Sequence, residues 1–113
     1  TDKEKFNEIK KSIFMVFPSS FEGFGMPPAE ALTCGKPCIC SDIPIFREIY
    51  EDKVEYFKEH DIKELGRKIR ILSYNRKYRK RRGKEGRKYI LNNYSWEKSA
   101  EQIENILLKN LKS

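Results

Sequence analysis

The sequence predicts an α/β fold with an open parallel sheet, because predicted strands and helices alternate along it. Residues 13–17 form a continuous apolar run, which is typical of a strand covered on both faces. Residues 37–40 and 54–57 are predicted as the second and third strands, with a short helix at residues 44–49 between them. Such alternation favours right-handed βαβ units, whose strands end at one edge of the sheet, where ligands bind.

The elements around the first strand follow from periodicity and from prolines. Residues 2–13 carry apolar side chains at helical spacing, so a helix is predicted to lead into the strand. A glycine-rich loop follows the strand, and the next helix is predicted to begin near Pro27 or Pro28, since proline is tolerated in a first turn. This helix is predicted to end at Cys34, with Gly35 as its C-cap.

The last third of the chain is predicted to be helical. Asp61 is a suitable N-cap, and Glu64 three residues later gives a capping-box-like start. A basic helix is predicted over residues 77–92, and Ser95 is predicted to cap a final helix. His60, the only histidine, precedes the N-cap without metal-ligating partners at suitable spacing, so we expect a turn residue.

Size and charge limit the classes of function. The 113 residues make one domain at most. The sequence begins at Thr1 without a methionine, so we expect residues 1–113 to be a piece of a longer protein. No apolar run approaches the roughly 20 residues that cross a bilayer. The net charge of +7 favours anionic partners such as phosphates, nucleic acid or an acidic membrane face.

The three cysteines are predicted to be packing residues. Cys34, Cys38 and Cys40 have a C-x3-C-x-C spacing, which matches no reliable zinc pattern. Cys38 and Cys40 should share one face of a strand. An odd count without signs of secretion predicts reduced, buried thiols in a cytosolic protein.

The chemistry is predicted to lie in residues 18–31, where a glycine-rich loop carries Glu22 and a helix start carries Glu30. Gly23 and Gly25 let the backbone approach a ligand closely, and the loop amides can face an anion. The helix dipole keeps Glu30 ionised, so that its two oxygens can accept from both hydroxyls of a ribose. Amides for phosphate beside carboxylates for hydroxyls are typical of a nucleotide-sugar site.

Two other interpretations use the same residues. A tight strand-to-helix turn would need the same glycines, with Glu30 as a favourable first-turn charge and Glu22 as a solvated loop residue. Residue types alone do not separate that turn from a ligand site. A glycosidase pair is a poorer interpretation, because an ionised Glu30 would be a bad proton donor.

The pattern extends well beyond the two glutamates. Pro-Ser precedes Glu22, Gly-Phe-Gly-Met-Pro follows it, and Glu-Ala and Cys-Gly-Lys-Pro come next. Residues 41–48 fit an S-D-x-x-x-x-x-E run at a looser match, and residues 95–96 fit Ser-Trp near a last helix. Together these motifs resemble retaining GT-B glycosyltransferases of the family-4-like group (glycosyl transferases group 1), whose signature is E-x7-E. The similarity covers nearly the whole chain.

The resemblance implies a Rossmann-like parallel sheet flanked by helices, part of the C-terminal, nucleotide-sugar-binding domain of a GT-B fold. It implies a retaining transferase of the hexosyltransferase type, moving a sugar from a nucleotide-diphosphate donor to a glycan or lipid-linked acceptor. The N-terminal acceptor domain would lie outside residues 1–113, so this piece is expected to be inactive alone. No metal or cofactor is expected, because backbone amides and basic side chains would neutralise the leaving diphosphate.

The resemblance also implies roles for single residues. Glu30 would bind the ribose hydroxyls, and Glu22 would contact the transferred sugar near its reacting centre as the catalytic residue. In the glycine-rich loop that begins at Gly23, the amides that would face the diphosphate or the sugar belong to Phe24, Gly25 and Met26. The chain departs from the family at residues 51–53, where a glycine-rich turn is common and Glu-Asp-Lys stands instead.

Residues 76–84 are the densest cationic run. A solvated helix face is the first interpretation. A peripheral contact with an anionic membrane is the second, because polybasic segments are attracted to such surfaces. Nucleic acid is disfavoured, since Gly83 and Gly86 are expected to interrupt a recognition helix. The alternative function is therefore a non-catalytic nucleotide-binding or membrane-docking module, and the expected location is cytoplasmic or peripheral at the membrane.

Overall fold

The chain forms a three-stranded parallel sheet with helices on both faces. The computed structural model describes residues 11–18, 27–93 and 108–109. The described elements, in chain order, are β1 (Met15–Phe17), α1 (Pro27–Thr33), β2 (Cys38–Ser41), α2 (Pro44–Tyr50), β3 (Glu55–Phe57), α3 (Ile62–Tyr74) and α4 (Arg76–Asn93). The strands pair in parallel in the order β1-β2-β3. The predicted α/β fold with a parallel sheet flanked by helices is therefore confirmed.

The observed boundaries lie within two residues of most predicted ones. The second strand begins at Cys38 rather than Pro37, because proline has no N–H to give to a ladder. Pro37 still takes part through its carbonyl, which accepts from the Met15 amide at 3.1 Å. The helix predicted over residues 2–13 and the one predicted to start at Ser95 lie largely outside the described residues.

Each face of the sheet has its own apolar cluster. On one face, strand residues Phe17, Cys38, Cys40 and Tyr56 pack against side chains of α1, α2 and α4. On the other face, Ile39, Phe57 and the partly buried Val16 pack against α3 around its buried Leu72. Cys38 and Cys40 are fully buried on the same face. Burial raises the pKa of both thiols well above the usual value. Both are free and buried, which confirms the packing role predicted for them, whereas Cys34 is free but only partly buried.

Local caps confirm three predictions. Gly35 has φ +76°, its N–H donates to Leu32 at 2.9 Å, and the next amide donates to Ala31 at 3.0 Å; this is a Schellman motif at the end of α1. Asp61 Oδ1 accepts from the Glu64 amide at 3.0 Å. His60 is an exposed turn residue with φ 69°, as expected.

Helix α4 crosses the amino-terminal edge of the sheet. Just before its middle, Arg82 contacts Glu55, the first residue of β3. At its middle, Gly83 lies against Gly35 and Pro37, just before β2. Near its end, Ile90 packs into the cluster that also contains α1.

The expectation that Gly83 and Gly86 interrupt this helix is wrong, because α4 is continuous from Arg76 to Asn93. Both glycines are buried in the helix interior. A Cβ on Gly83 would overlap the carbonyl oxygen of Gly35, and one on Gly86 would lie 2.6 Å from Leu32 Cδ2. The missing side chains therefore let α4 approach α1 closely.

Candidate functional site at the carboxyl edge of the sheet

The candidate site lies where the three strands end. Phe17, Ser41 and Phe57 close β1, β2 and β3, and parallel pairing puts these carboxyl ends at one edge. Open parallel sheets bind their ligands at this edge. Helix α1 begins there and carries Glu30 in its first turn. Glu22 and residues 23–26 lie outside the described residues, so their predicted roles stay predictions.

Glu30 is held by the two residues beside it. Ala29 and Ala31 are 5% and 0% exposed and pack into the core of the sheet, which fixes the orientation of the first turn of α1. Glu30 itself is half-buried, with its Oε2 atom buried. A carboxylate near a helix N-terminus is stabilised by the dipole. The structure thus places one fixed carboxylate at the carboxyl edge.

The first three residues of α1 have no backbone donor to spare for a ligand. Pro27 and Pro28 carry no N–H, and the Ala29 amide donates to Tyr50 Oη at 3.1 Å. Tyr50 is the last residue of α2, so this bond also joins the two helices. A backbone cradle for an anion would have to come from residues before Pro27. Sequence reasoning missed Tyr50, because its partner lies 21 residues away in sequence.

Asp42 and Arg47 form a second polar group at this edge. Asp42 follows β2 directly, and its amide donates to the Phe57 carbonyl at 2.8 Å. Arg47 donates to both carboxylate oxygens, at 2.6 and 2.8 Å, and its guanidinium lies 3.9 Å from the centre of the Tyr56 ring. The Arg47 hydrogen bond holds the pKa of Asp42 below its ordinary value. The carboxylate therefore stays ionised and is occupied in fixing α2.

Glu48 is the remaining member of the S-D-x-x-x-x-x-E run. Its Oε1 accepts from Lys109 Nζ at 2.7 Å, and its side chain is 35% exposed. The pair joins α2 to a residue near the end of the chain. No sequence signal predicted either this pair or the bidentate Asp42–Arg47 bridge. Within the described residues, no group of three or more His, Cys, Asp or Glu side chains is arranged to hold a metal ion.

Comparison with known proteins identifies the family. The family model described as "Glycosyl transferases group 1" matches residues 1–89. The chain therefore belongs to the glycosyl transferases group 1 family, as the sequence motifs predicted.

Three curated relatives illustrate the match. The O-antigen chain mannosyltransferase RfbU of Salmonella typhimurium is 44% identical over 62 residues, covering 51% of this chain and 18% of the relative. The uncharacterized glycosyltransferase MJ1178 of Methanocaldococcus jannaschii is 34% identical over 105 residues, covering 85% of this chain and 29% of the relative. The serotype-specific mannosyltransferase WbdA of Escherichia coli is 40% identical over 52 residues, covering 46% of this chain and 6% of the relative. The chain thus spans less than a third of each relative.

Two further findings complete the comparison. No solved structure matches the chain significantly. Among the described helices, none combines the length and the apolar character that crossing a membrane requires.

Proposed function

We propose that this chain forms part of the donor-nucleotide domain of a retaining glycosyltransferase. The protein would move a sugar from a nucleotide-diphosphate donor to a glycan or lipid-linked acceptor. One observation carries the proposal: Glu30, half-buried in the first turn of α1, lies at the carboxyl edge of the sheet, eight residues after Glu22. Membership of the glycosyl transferases group 1 family supports it.

The proposed roles divide the site between side chains and backbone. Glu30 accepts from the ribose hydroxyls, and Glu22 acts near the reacting sugar carbon. Because α1 offers no amide in its first three positions, diphosphate binding falls to the preceding loop and its Phe24, Gly25 and Met26 amides. Such preorganised donors stabilise a leaving diphosphate without a metal. We therefore expect transfer to continue when EDTA removes divalent cations, and complete loss of activity would contradict this expectation.

Donor binding is tested first, by calorimetric titration of the protein with UDP, GDP and ADP. One nucleotide should bind saturably. Glu30→Gln keeps the shape of the side chain but removes its charge, so it should weaken binding roughly 10- to 150-fold, the equivalent of one charge-assisted hydrogen bond. Glu85→Gln, on α4 at the opposite edge, is the control and should bind like the parent. Equal affinities for parent and Glu30→Gln would refute the ribose role.

Retention and the sugar need a transfer assay. Because the chain covers 18% and 29% of the first two relatives, the assay uses the full-length protein. Mannose is the first sugar to test, since the names of two similar proteins describe mannosyltransferases. NMR of the product should show the anomeric configuration of the donor. An inverted product would refute retention while leaving nucleotide binding by Glu30 intact.

A further inference from the structure

Helix α4 divides its cations between two faces. Arg82 points inward: its Nε donates to Glu55 Oε2 at 2.7 Å, and its Nη2 donates to the Asp52 carbonyl at 2.7 Å. Arg79 donates to two carbonyls at the end of α3, at 2.8 and 3.0 Å. These two arginines belong to the fold. The cationic run at residues 76–84 is therefore not a uniform surface.

Four lysines form the outward face of the same helix. Lys77, Lys80, Lys84 and Lys88 are exposed, and we name them the lysine stripe. Their spacings of three and four residues align them on one side of a helix, over a length of about 16 Å. Within the described part of the chain, none of them makes an ion pair. Like charges at such spacings repel and destabilise a helix slightly, so the charges of the stripe do not stabilise α4.

The stripe lies away from the candidate site. The inner face of α4 contacts Glu55, Gly35 and Pro37, all at the amino ends of strands. The outer face is therefore directed away from the carboxyl edge, where Glu30 lies. A partner bound to the stripe would leave the candidate donor site open.

The chemistry of the stripe favours one kind of partner. Lysine ammonium groups are compact, hydrated point charges, which suit a diffuse anionic surface better than bidentate recognition of single phosphates. Leu91, three residues after Lys88, continues the stripe and is 47% exposed, as expected of a side chain that enters a membrane interface. The rings of Tyr78 and Tyr89 are fixed by hydroxyl bonds to Glu55 and Ile49. They do not offer the stacking surface on which nucleic-acid bases bind.

We propose that the lysine stripe and Leu91 dock this domain on an anionic lipid membrane. Docking is independent of nucleotide binding, because the two surfaces lie at opposite edges of the sheet. It is electrostatic in the main, so it should weaken as salt screens the charges.

The test is co-sedimentation of the protein with vesicles of phosphatidylcholine alone and of phosphatidylcholine mixed with phosphatidylglycerol. Lys80, Lys84 and Lys88 are changed together to Gln. The matched control changes three exposed cations of α3 to Gln, namely Lys63, Arg67 and Arg70, which lowers the net charge equally. Each lysine near an anionic surface contributes to the free energy of membrane binding. Losing three should therefore reduce partitioning into the vesicles about 100-fold.

The outcomes are distinct. Docking predicts salt-sensitive binding to anionic vesicles only, lost in the stripe variant and kept in the control. Equal losses in both variants would show that net charge acts without a defined surface. Unchanged binding in the stripe variant, or binding to a DNA or RNA duplex but not to vesicles, would also overturn the proposal. Unfolding curves that match the parent would show that the stripe variant is folded.

Discussion

The two edges of the sheet are built from different kinds of contact. At the amino edge, α4 crosses the strand starts with buried glycines and a nearly buried ion pair between Arg82 and Glu55, whose side chains are 13% and 7% exposed. At the carboxyl edge, the Asp42–Arg47 pair is 28% and 52% exposed, and Glu30 is half-buried. The difference indicates that buried contacts are concentrated at the amino edge, while the carboxyl edge, where the candidate site lies, keeps its charged groups more exposed.

Breaking the buried pair should have the largest effect. Arg82→Leu leaves the Glu55 carboxylate buried with only Tyr78 and Lys68 as partners, at 3.0 and 3.4 Å. We expect the free energy of unfolding to fall by about 3 kcal/mol, since removing the nearer cation of a buried pair leaves a carboxylate charge that the longer Lys68 contact compensates only in part. Urea unfolding measures it. Arg81→Leu, on the exposed side of the same turn, should change stability by less than about 0.5 kcal/mol.

If the two arginine variants lost equal stability, the amino edge would not depend on the Glu55 network. The contrast between the edges would then rest on the glycines alone.

A methyl group added to α4 should have the next largest effect. Gly83→Ala places a Cβ against the Gly35 carbonyl oxygen, so we expect a loss of about 2 kcal/mol from overpacking. Gly66→Ala is the same change in α3, where a Cβ would meet nothing within 4 Å. It should stabilise by about 1 kcal/mol, because alanine favours helix more than glycine does. Equal stabilisation by the two changes, or a Gly83→Ala variant as stable as the parent, would show that α4 can move away from Gly35.

The sequence predicted what depends on neighbouring residues. The strands follow from apolar runs, and Gly35, Asp61 and Pro27 act within one turn of their own positions. It missed Arg82–Glu55 and Tyr50–Ala29, which join residues 27 and 21 positions apart. It also predicted wrongly that Gly83 and Gly86 interrupt a helix. These glycines lie within a continuous helix, and their missing side chains let it pack closely against a second one. Periodicity along one segment carries no information about the segment packed against it.

The turn at residues 51–53 shows a related limit of prediction from the sequence. Glu51 has φ 50° and ψ −126°, a backbone conformation that glycine adopts more easily, and this is where the sequence departs from the glycine-rich turn that the resemblance leads one to look for. Tertiary contacts hold the glutamate in place: Tyr56 Oη donates to its carbonyl at 2.6 Å, and Tyr89 Oη donates to its Oε2 at 2.8 Å. The contact with Tyr89, 38 residues away, could not be inferred from residues near Glu51.

At the carboxyl edge, a single hydroxyl should matter. Tyr50→Phe leaves the buried Ala29 amide without the bond that joins α1 to α2. We expect a loss of about 1–2 kcal/mol, the cost of an unsatisfied buried donor. Tyr74→Phe removes a hydroxyl from a residue that is 86% exposed and should change nothing measurable. If both variants unfold like the parent, water replaces the Tyr50 hydroxyl and this edge is looser than described.

The smallest effect on stability should come from the exposed Asp42–Arg47 pair. Its dependence on pH distinguishes it from the effects of the other variants. Arg47 lowers the pKa of Asp42 in the folded state, so the pair stabilises the fold above the unfolded pKa of about 3.9. Its contribution is lost as the pH falls through the lower, folded pKa. Solvent limits this contribution to less than about 1 kcal/mol.

Unfolding of Asp42→Asn should therefore show a small, constant deficit in stability from neutral pH to about pH 5, which shrinks towards zero below about pH 4. Asp52→Asn, at an 86% exposed side chain, is the matched control. A deficit that persists in acid would mean that Asp42 acts through its shape, and that this edge, like the other, is held by packing more than by charge.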